Sequence, residues 1–312
     1  MTTPDRPLAI VGPTASGKSA LAMALARRTG AELVSVDSMQ VYRGMDIGTA
    51  KPYPGERAEV PHHLLDRLDP HEEASVAWFQ EESAAALRGI ASRGRPAILV
   101  GGTGLYHRAV VDGLDIPPRF PELLAELEGE PDTIALHQRL ATLDPVGAAR
   151  MEPSNRRRVL RALEVTLGTG RPFSSFGPGL ERYEEAEVVQ IGLRLDRDDL
   201  TVRIGDRLDA QMAAGFLDEV ARLDARPEGW SRTARQALGY RELLDHLHRG
   251  DPLDACVRTV AVRTRRFAVR QDRWFRRDPR VSWIDVGPGE RSDAVEVVDE
   301  VLRRWAGAGN SL

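Results

Sequence analysis

The octapeptide GPTASGKS occupies Gly12–Ser19. An apolar run, Leu8, Ala9, Ile10 and Val11, precedes it, and Leu21 and Leu25 follow at helical spacing. Strand, glycine-rich loop and helix in that order are the context in which G-x-x-x-x-G-K-[ST] reads as a phosphate cradle. Such a loop points backbone N–H groups at phosphate oxygens, and the helix N-terminus behind it adds a favourable dipole. Gly12, Pro13, Thr14, Ala15, Ser16, Gly17, Lys18 and Ser19 are therefore the candidate phosphate-binding residues. Lys18 supplies a point charge, and the Ser19 hydroxyl is placed to reach a bound Mg2+. The plainer alternative is a loop-to-helix turn that happens to carry a lysine.

Composition sharpens that choice. Lysine occurs only at Lys18 and Lys51, and every other strongly basic side chain is arginine. A compact ammonium suits phosphate tips in a way that a planar guanidinium does not reproduce. With 312 residues, 42% of them hydrophobic, the chain can bury one large core or a core plus a smaller domain. Pro4, Asp5 and Arg6 interrupt the start where a secretion signal needs an apolar run, and no stretch is long enough to span a membrane. The single cysteine, Cys256, allows no internal disulfide and suits a reducing, cytoplasmic setting; a small residue within a helix is its simplest role. The net charge of −4 does not by itself suggest a nucleic-acid protein. Its distribution does: Val257–Arg280 holds nine arginines against two aspartates, and Asn155–Arg171 holds five against one glutamate. Arginine-rich solvated helix faces are the bland alternative.

Beyond the loop, the first helix runs to about Arg28, with Thr29 and Gly30 as its stop. Leu33, Val34 and Val36 read as a second buried strand ending in Asp37 and Ser38. Strand carboxyl ends face the ligand crevice of an open α/β sheet, so Asp37 falls where Lys18 does. It can orient or deprotonate a substrate group, or simply cap a turn. Residues 39–61 form a long Gly- and Pro-rich segment without periodicity, read as a functional loop. His62 and His63 are read as structural. Ser75 is a candidate N-cap for a helix to Ser92. Pro96–Val100 is a further buried strand, followed by GGTG at Gly101–Gly104. Many P-loop ATPases and GTPases carry an aspartate at such a strand end to help hold Mg2+. Here glycines and Thr103 stand instead, which allows close backbone approach or a threonine-capped turn into a helix over 105–111.

From Asp115 the pattern changes to short helices over 122–128, 134–143 and 154–167 without strands, which reads as a helical insertion, with a loop over 173–178. The organisation expected is core over 1–114, insertion over 115–186 and the rest of the core over 187–312. Val188–Leu195 returns to strand, and Ile204, Leu208 and Met212 define an amphipathic helix with Arg203 and Arg207 on its flank. An exposed flank is the simple reading of those two arginines. QALGYR, Gln236–Arg241, leads into another helix, and Leu253–Arg277 is a long helix carrying the arginine excess. Val281–Asp285 is the last strand, a terminal helix reaches Trp305, and the final residues read as a disordered tail.

Together these motifs resemble the tRNA dimethylallyltransferases, also called isopentenyl-tRNA transferases. The resemblance rests on GPTASGKS, on VSVDSMQVYRGMDIGTAKP from Val34 to Pro52, and on PHHLLD from Pro61 to Asp66. It continues through VGGTGLY (Val100–Tyr106), RALEV (Arg161–Val165), LGYRE (Leu238–Glu242) and RQDRWFRRDPR (Arg270–Arg280). It implies a P-loop, nucleoside-kinase-like α/β core with a parallel sheet and a helical insertion domain, a requirement for Mg2+, and two substrates, dimethylallyl diphosphate and tRNA. The allyl group would pass to the exocyclic amine of the adenine just 3′ of the anticodon, in tRNAs reading codons that begin with U.

The resemblance makes Asp37 the catalytic base and places Thr103 near the reacting groups. It also makes Gly12–Ser19 the diphosphate loop, helped by Arg207. The tRNA-contacting positions it implies are Asp37, Ser38, Met39 and Gln40, then Arg157, Arg158, Val159, Leu160 and Arg161, then Gln236, Ala237, Leu238, Gly239, Tyr240 and Arg241. Arg157 stands where some members carry glutamine, and Gln236 where some carry arginine. The competing readings are an ATP-dependent kinase of a nucleotide or small metabolite, and a non-catalytic RNA-binding module with a vestigial nucleotide site. Nothing in the sequence demands more than a monomer.

Overall fold

The structure, a computed structural model, describes residues 6–177, 179–180 and 182–307. Its first unit comprises residues up to Asp112 and those from Glu185 onward; Gly113–Glu184 forms the second. The first unit opens with strand β1 (Leu8–Val11), helix α1 (Lys18–Thr29) and strand β2 (Glu32–Val36). Helix α2 (Pro54–Glu59), strand β3 (His62–His63), helix α3 (Val76–Ser92), strand β4 (Ala97–Gly101) and helix α4 (Gly104–Asp112) follow. The second unit holds α5 (Pro121–Glu128), α6 (Thr133–Leu143), α7 (Pro145–Ala149) and α8 (Arg156–Thr169). The first unit resumes with β5 (Val189–Arg194), α9 (Arg197–Ala213), α10 (Phe216–Asp224), α11 (Arg232–Arg235) and α12 (Tyr240–Arg249). It ends with α13 (Leu253–Phe275), β6 (Ser282–Asp285) and α14 (Val295–Gly307).

The sheet runs β3-β2-β4-β1-β5-β6, and every neighbouring pair is parallel. Parallel strands need covered faces, so their residues are apolar on both sides. Leu8, Ile10, Leu33, Ile98, Ile191 and Leu193 pack with α1 (Leu21, Leu25) and α14 (Val298, Val301, Trp305). The alternate residues Ala9, Val34, Val36 and Leu99 pack with Phe79 of α3, Tyr106 of α4, Phe216 of α10 and Leu243 of α12. Adjacent strand positions thus feed opposite cores, as a period of two requires.

The segment read as one loop over 39–61 contains α2, which opens at Pro54 in the first helical turn. Buried groups hold the rest of that segment. Glu219 of α10 accepts the backbone N–H groups of Asp46, Ile47 and Gly48 and the Tyr240 hydroxyl. Four donors offset the desolvation of a carboxylate that is only 1% exposed. Lys51 is buried too, donating to the Tyr42 carbonyl and pairing with Asp46 and Asp66. His63 bonds Glu32, which Arg93 also holds, so this histidine is structural.

The sequence pattern left 214–235 unassigned, and α10 and α11 occupy much of it. Helix α7 was also unforeseen; it is one short turn that starts at Pro145 and is capped by Asp144 accepting the Gly147 N–H. Within 173–178, Phe173–Ser175 forms a 3-10 turn, while Pro178 lies outside the described residues. So do Pro4, Asp5 and the tail beyond Gly307. The second unit closes on Leu127, Leu136, Leu140, Val159 and Leu163. No helix among the described residues is long and apolar enough to cross a membrane.

Candidate active site

With all strands parallel, the segments leaving β1, β2 and β4 emerge at one edge of the sheet, and β4 lies between the other two. That edge brings together the phosphate loop after β1, Asp37 after β2 and Gly102–Thr103 after β4. In the loop, Ala15 adopts a left-handed φ of 64°, and Gly17, the N-cap of α1, one of 90°. A side chain at Gly17 would be strained and would also collide with Ser292, whose hydroxyl donates to the Gly17 carbonyl at 2.8 Å. The N–H groups of Gly17, Lys18 and Ser19 in the first turn of α1 have no acceptor among the described residues. The exposed Ser19 hydroxyl has no protein partner there either. These are the free donors that an anion at a helix N-terminus engages.

Lys18 folds back so that Nζ donates to the Pro13 carbonyl at 2.6 Å. No carboxylate among the described residues pairs with it. The side chain keeps partial exposure. Burial first, then the like charge of Arg207, push Lys18 down to about 7, while Asp37 pulls upward. Arg207 of α9 is half-buried and has no hydrogen-bond or ion-pair partner among the described residues. Burial lowers its affinity for a proton, and Asp37 opposes that shift. The simple reading of an exposed arginine flank on α9 is therefore corrected: Arg203 donates to the Glu290 carbonyl at 2.6 Å, and Arg207 lies within the field of Lys18 and Asp37. Two cations and one carboxylate share the site, with an excess of positive charge suited to an anion.

Asp37 Oδ1 accepts the Met39 N–H at 2.8 Å, which fixes the carboxylate by its own turn. Thr103 Oγ1 accepts the Ser38 N–H at 3.3 Å and lies 3.4 Å from the Ser38 hydroxyl, so β2 and β4 are stitched beside Asp37. The Gln40 carboxamide is committed elsewhere, to the Ser35 hydroxyl and the carbonyls of Thr49 and Ala50.

The expected RNA-facing positions divide by burial. Arg157 and Arg158 are exposed and have no protein partner among the described residues. Val159 and Leu160 turn into the core of the second unit. Arg161 is spent on the Pro117 and Pro118 carbonyls and on Glu164, so it holds the entry to α5. Gln236 and Arg241 are exposed and Leu238 is half-buried, whereas Ala237, Gly239 and Tyr240 are interior. In α8 a helical amphipathic period explains the split, whereas residues 236–239 form the turn between α11 and α12. The arginines of α13 obey the same rule. Arg258, Arg265, Arg266, Arg270 and Arg273 fall at spacings that share one side, while Cys256, Val260, Ala268, Gln271 and Phe275 are buried on the other. Arg263, Arg276 and Arg280 are taken up by Glu242, Asp272 and Asp112.

Residues that pattern alone does not single out complete the site. Gln271 is 6% exposed; its Oε1 accepts the Thr14 N–H at 2.8 Å and its Nε2 donates to the Gly102 carbonyl at 2.8 Å. Its sequence signals are its place in the RQDRWFRRDPR motif and on the apolar face of an otherwise basic helix, and neither assigns it to the site.

The phosphate loop, the strand-end carboxylate and two cations without a carboxylate partner among the described residues form a site suited to an anion, and comparison with known proteins narrows the class. The IPP transferase family model matches residues 40–278, and the isopentenyl transferase model matches residues 7–67. The chain is 48% identical over 307 residues to a tRNA dimethylallyltransferase of Nocardioides sp., covering 96% of this chain and 98% of that one. It is 46% identical to the Streptomyces coelicolor tRNA dimethylallyltransferase, covering 96% of each. Among solved structures, the Bacillus halodurans tRNA isopentenylpyrophosphate transferase superposes with a TM-score of 0.71 at 38% identity, over 97% of both chains. A eukaryotic dimethylallyltransferase acting on tRNA superposes with a TM-score of 0.78 at 27% identity, over 95% of this chain and 77% of that one. The chain belongs to the IPP transferase family.

Proposed function

We propose that this protein transfers a dimethylallyl group from dimethylallyl diphosphate to the exocyclic amine of the adenine 3′-adjacent to the anticodon. The observation that carries this reading is the placement of Lys18 and Arg207, cations without carboxylate ion pairs among the described residues, around the strand-end carboxylate Asp37. The C1–O bond of the allyl diphosphate breaks and the electron pair leaves on the diphosphate, where Lys18, Arg207 and the loop N–H groups bind it. The adenine amine forms the new bond to C1, and its proton passes to the free oxygen of the Asp37 carboxylate. Thr103 lies against Ser38, the residue next to that carboxylate. The adenine reaches such a site by leaving its stack.

Ser19 would help hold a divalent ion: among the described residues its hydroxyl has no partner, and no cluster of three or more His, Cys, Asp or Glu side chains forms a protein cage. When bound, Mg2+ supplies charge neutralisation at the departing diphosphate. We place the protein in the cytoplasm with its tRNA substrate, acting as a monomer.

Incubation with unmodified tRNA, Mg2+ and labelled allyl diphosphate, with and without ATP, tests the reading. Label moves to tRNA in both mixtures if it holds. Strict ATP dependence with phosphorylated product supports the kinase instead.

Two further outcomes follow from the site. Below about pH 7 Lys18 is protonated and meets the diphosphate as a full charge; as pH rises through 7 the free protein loses that proton. Affinity for the allyl diphosphate therefore falls with rising pH above 7, by up to about tenfold per pH unit, and binding takes up a proton. Calorimetry in buffers of different ionisation enthalpy reads both; constant affinity across that window excludes the depressed lysine. On the RNA side, the R157A/R158A double variant weakens tRNA binding about tenfold at low salt and flattens its salt dependence. The affinity for allyl diphosphate stays unchanged, as competition binding checks.

A further inference from the structure

Thr103 stands between two glycines, and α13 presses on both. An added Cβ at Gly102 would sit 2.2 Å from Gln271 Nε2, and one at Gly104 would sit 2.3 Å from the Trp274 ring. Gly102 also gives its carbonyl to Gln271, whose carboxamide holds the Thr14 N–H with its other end. One buried side chain therefore ties the phosphate loop to the end of β4 at a fixed separation. Neither bond can be made by an aliphatic residue, and the two together need an acceptor and a donor on one planar group. The glycines are then explained by the close approach of a helix, without any ligand.

We propose that Gln271 is a positioning residue for the transfer reaction. It sets Thr103 and the Thr14 turn of the loop relative to each other, so that the reacting amine near Asp37 and the diphosphate in the loop are aligned. This rests on the transferase reading above. Because Gln271 occupies the inner side of the helix whose outer side carries Arg266, Arg270 and Arg273, the basic face and the cradle share one rigid element. Misplacement of reacting groups by an ångström costs about a hundredfold, so a small release here is expected to register in turnover.

The test compares Q271L, Q271E and G102A with the parent in single-turnover transfer at saturating allyl diphosphate, alongside tRNA affinity and thermal melting. Q271L loses both bonds, and its transfer rate falls about ten- to a hundredfold while tRNA affinity is kept. G102A displaces the carboxamide without deleting it and shows a similar loss. Q271E carries the distinguishing signature. Its protonated carboxyl retains an acceptor and a donor, whereas the ionised form has no donor for the Gly102 carbonyl. Its rate relative to the parent therefore rises as pH is lowered, because a buried carboxyl titrates upward into the accessible range. Parental rates in Q271L and G102A overturn the proposal. So do losses that follow only the folded fraction, or a Q271E-to-parent ratio independent of pH. If the parent itself transfers no label, the reading beneath the proposal fails instead.

Discussion

D37N is expected to lower the transfer rate about a thousandfold and to leave tRNA affinity within about twofold of the parent. The size follows from what is removed. An aromatic amine is a weak nucleophile, and a positioned base that takes up its proton contributes about two to four orders of magnitude. Asparagine is the informative replacement because its amide oxygen can still accept the Met39 N–H that Asp37 accepts at 2.8 Å. The turn survives and only the proton acceptor is lost. D37A removes the turn contact as well, so its rate falls at least as far. Rates come from single-turnover transfer, and affinities from filter binding in the same buffer. Equal losses of rate and affinity in D37N make Asp37 a binding residue and remove the base from the mechanism.

R207A is expected to reduce kcat/KM for the allyl diphosphate about a hundred- to a thousandfold. Arg207 is half-buried, unpaired among the described residues and placed in the field of Lys18 and Asp37. A buried cation without an acid partner is costly in a fold unless something anionic completes it. Removing it therefore strips charge stabilisation from the departing diphosphate while relieving the repulsion on Lys18. R207K recovers part of the loss, since an ammonium restores charge without the two-pronged geometry of a guanidinium. A deficit confined to tRNA affinity assigns Arg207 to the nucleic-acid surface and contradicts the leaving-group role.

How much of this was legible in the sequence follows from the range of the interactions. The cradle, the strand-end aspartate and the parallel sheet rest on local pattern, and eight consecutive residues carried the loop. The glycines of GGTG were visible, but what approaches them was not: Gln271 lies 169 positions from Gly102 and 257 from Thr14. Glu219 likewise holds a loop more than 170 positions away. No periodicity encodes such pairings. Arginine-rich motifs carried the opposite difficulty. Their composition marks a basic face, yet Arg161, Arg263 and Arg280 serve carbonyls or carboxylates of the fold, and only geometry separates them from Arg157, Arg158 and Arg270.

The central claim is that the P-loop holds a leaving diphosphate and the strand-end carboxylate serves an RNA amine. Mass analysis of nucleosides from an anticodon stem-loop, with diphosphate release followed in the same reaction, tests it most directly. The account predicts one dimethylallyl group on the adenine 3′ of the anticodon for each diphosphate released, with ATP absent. An unmodified adenine beside released diphosphate, or a phosphorylated product that forms only with ATP, contradicts it.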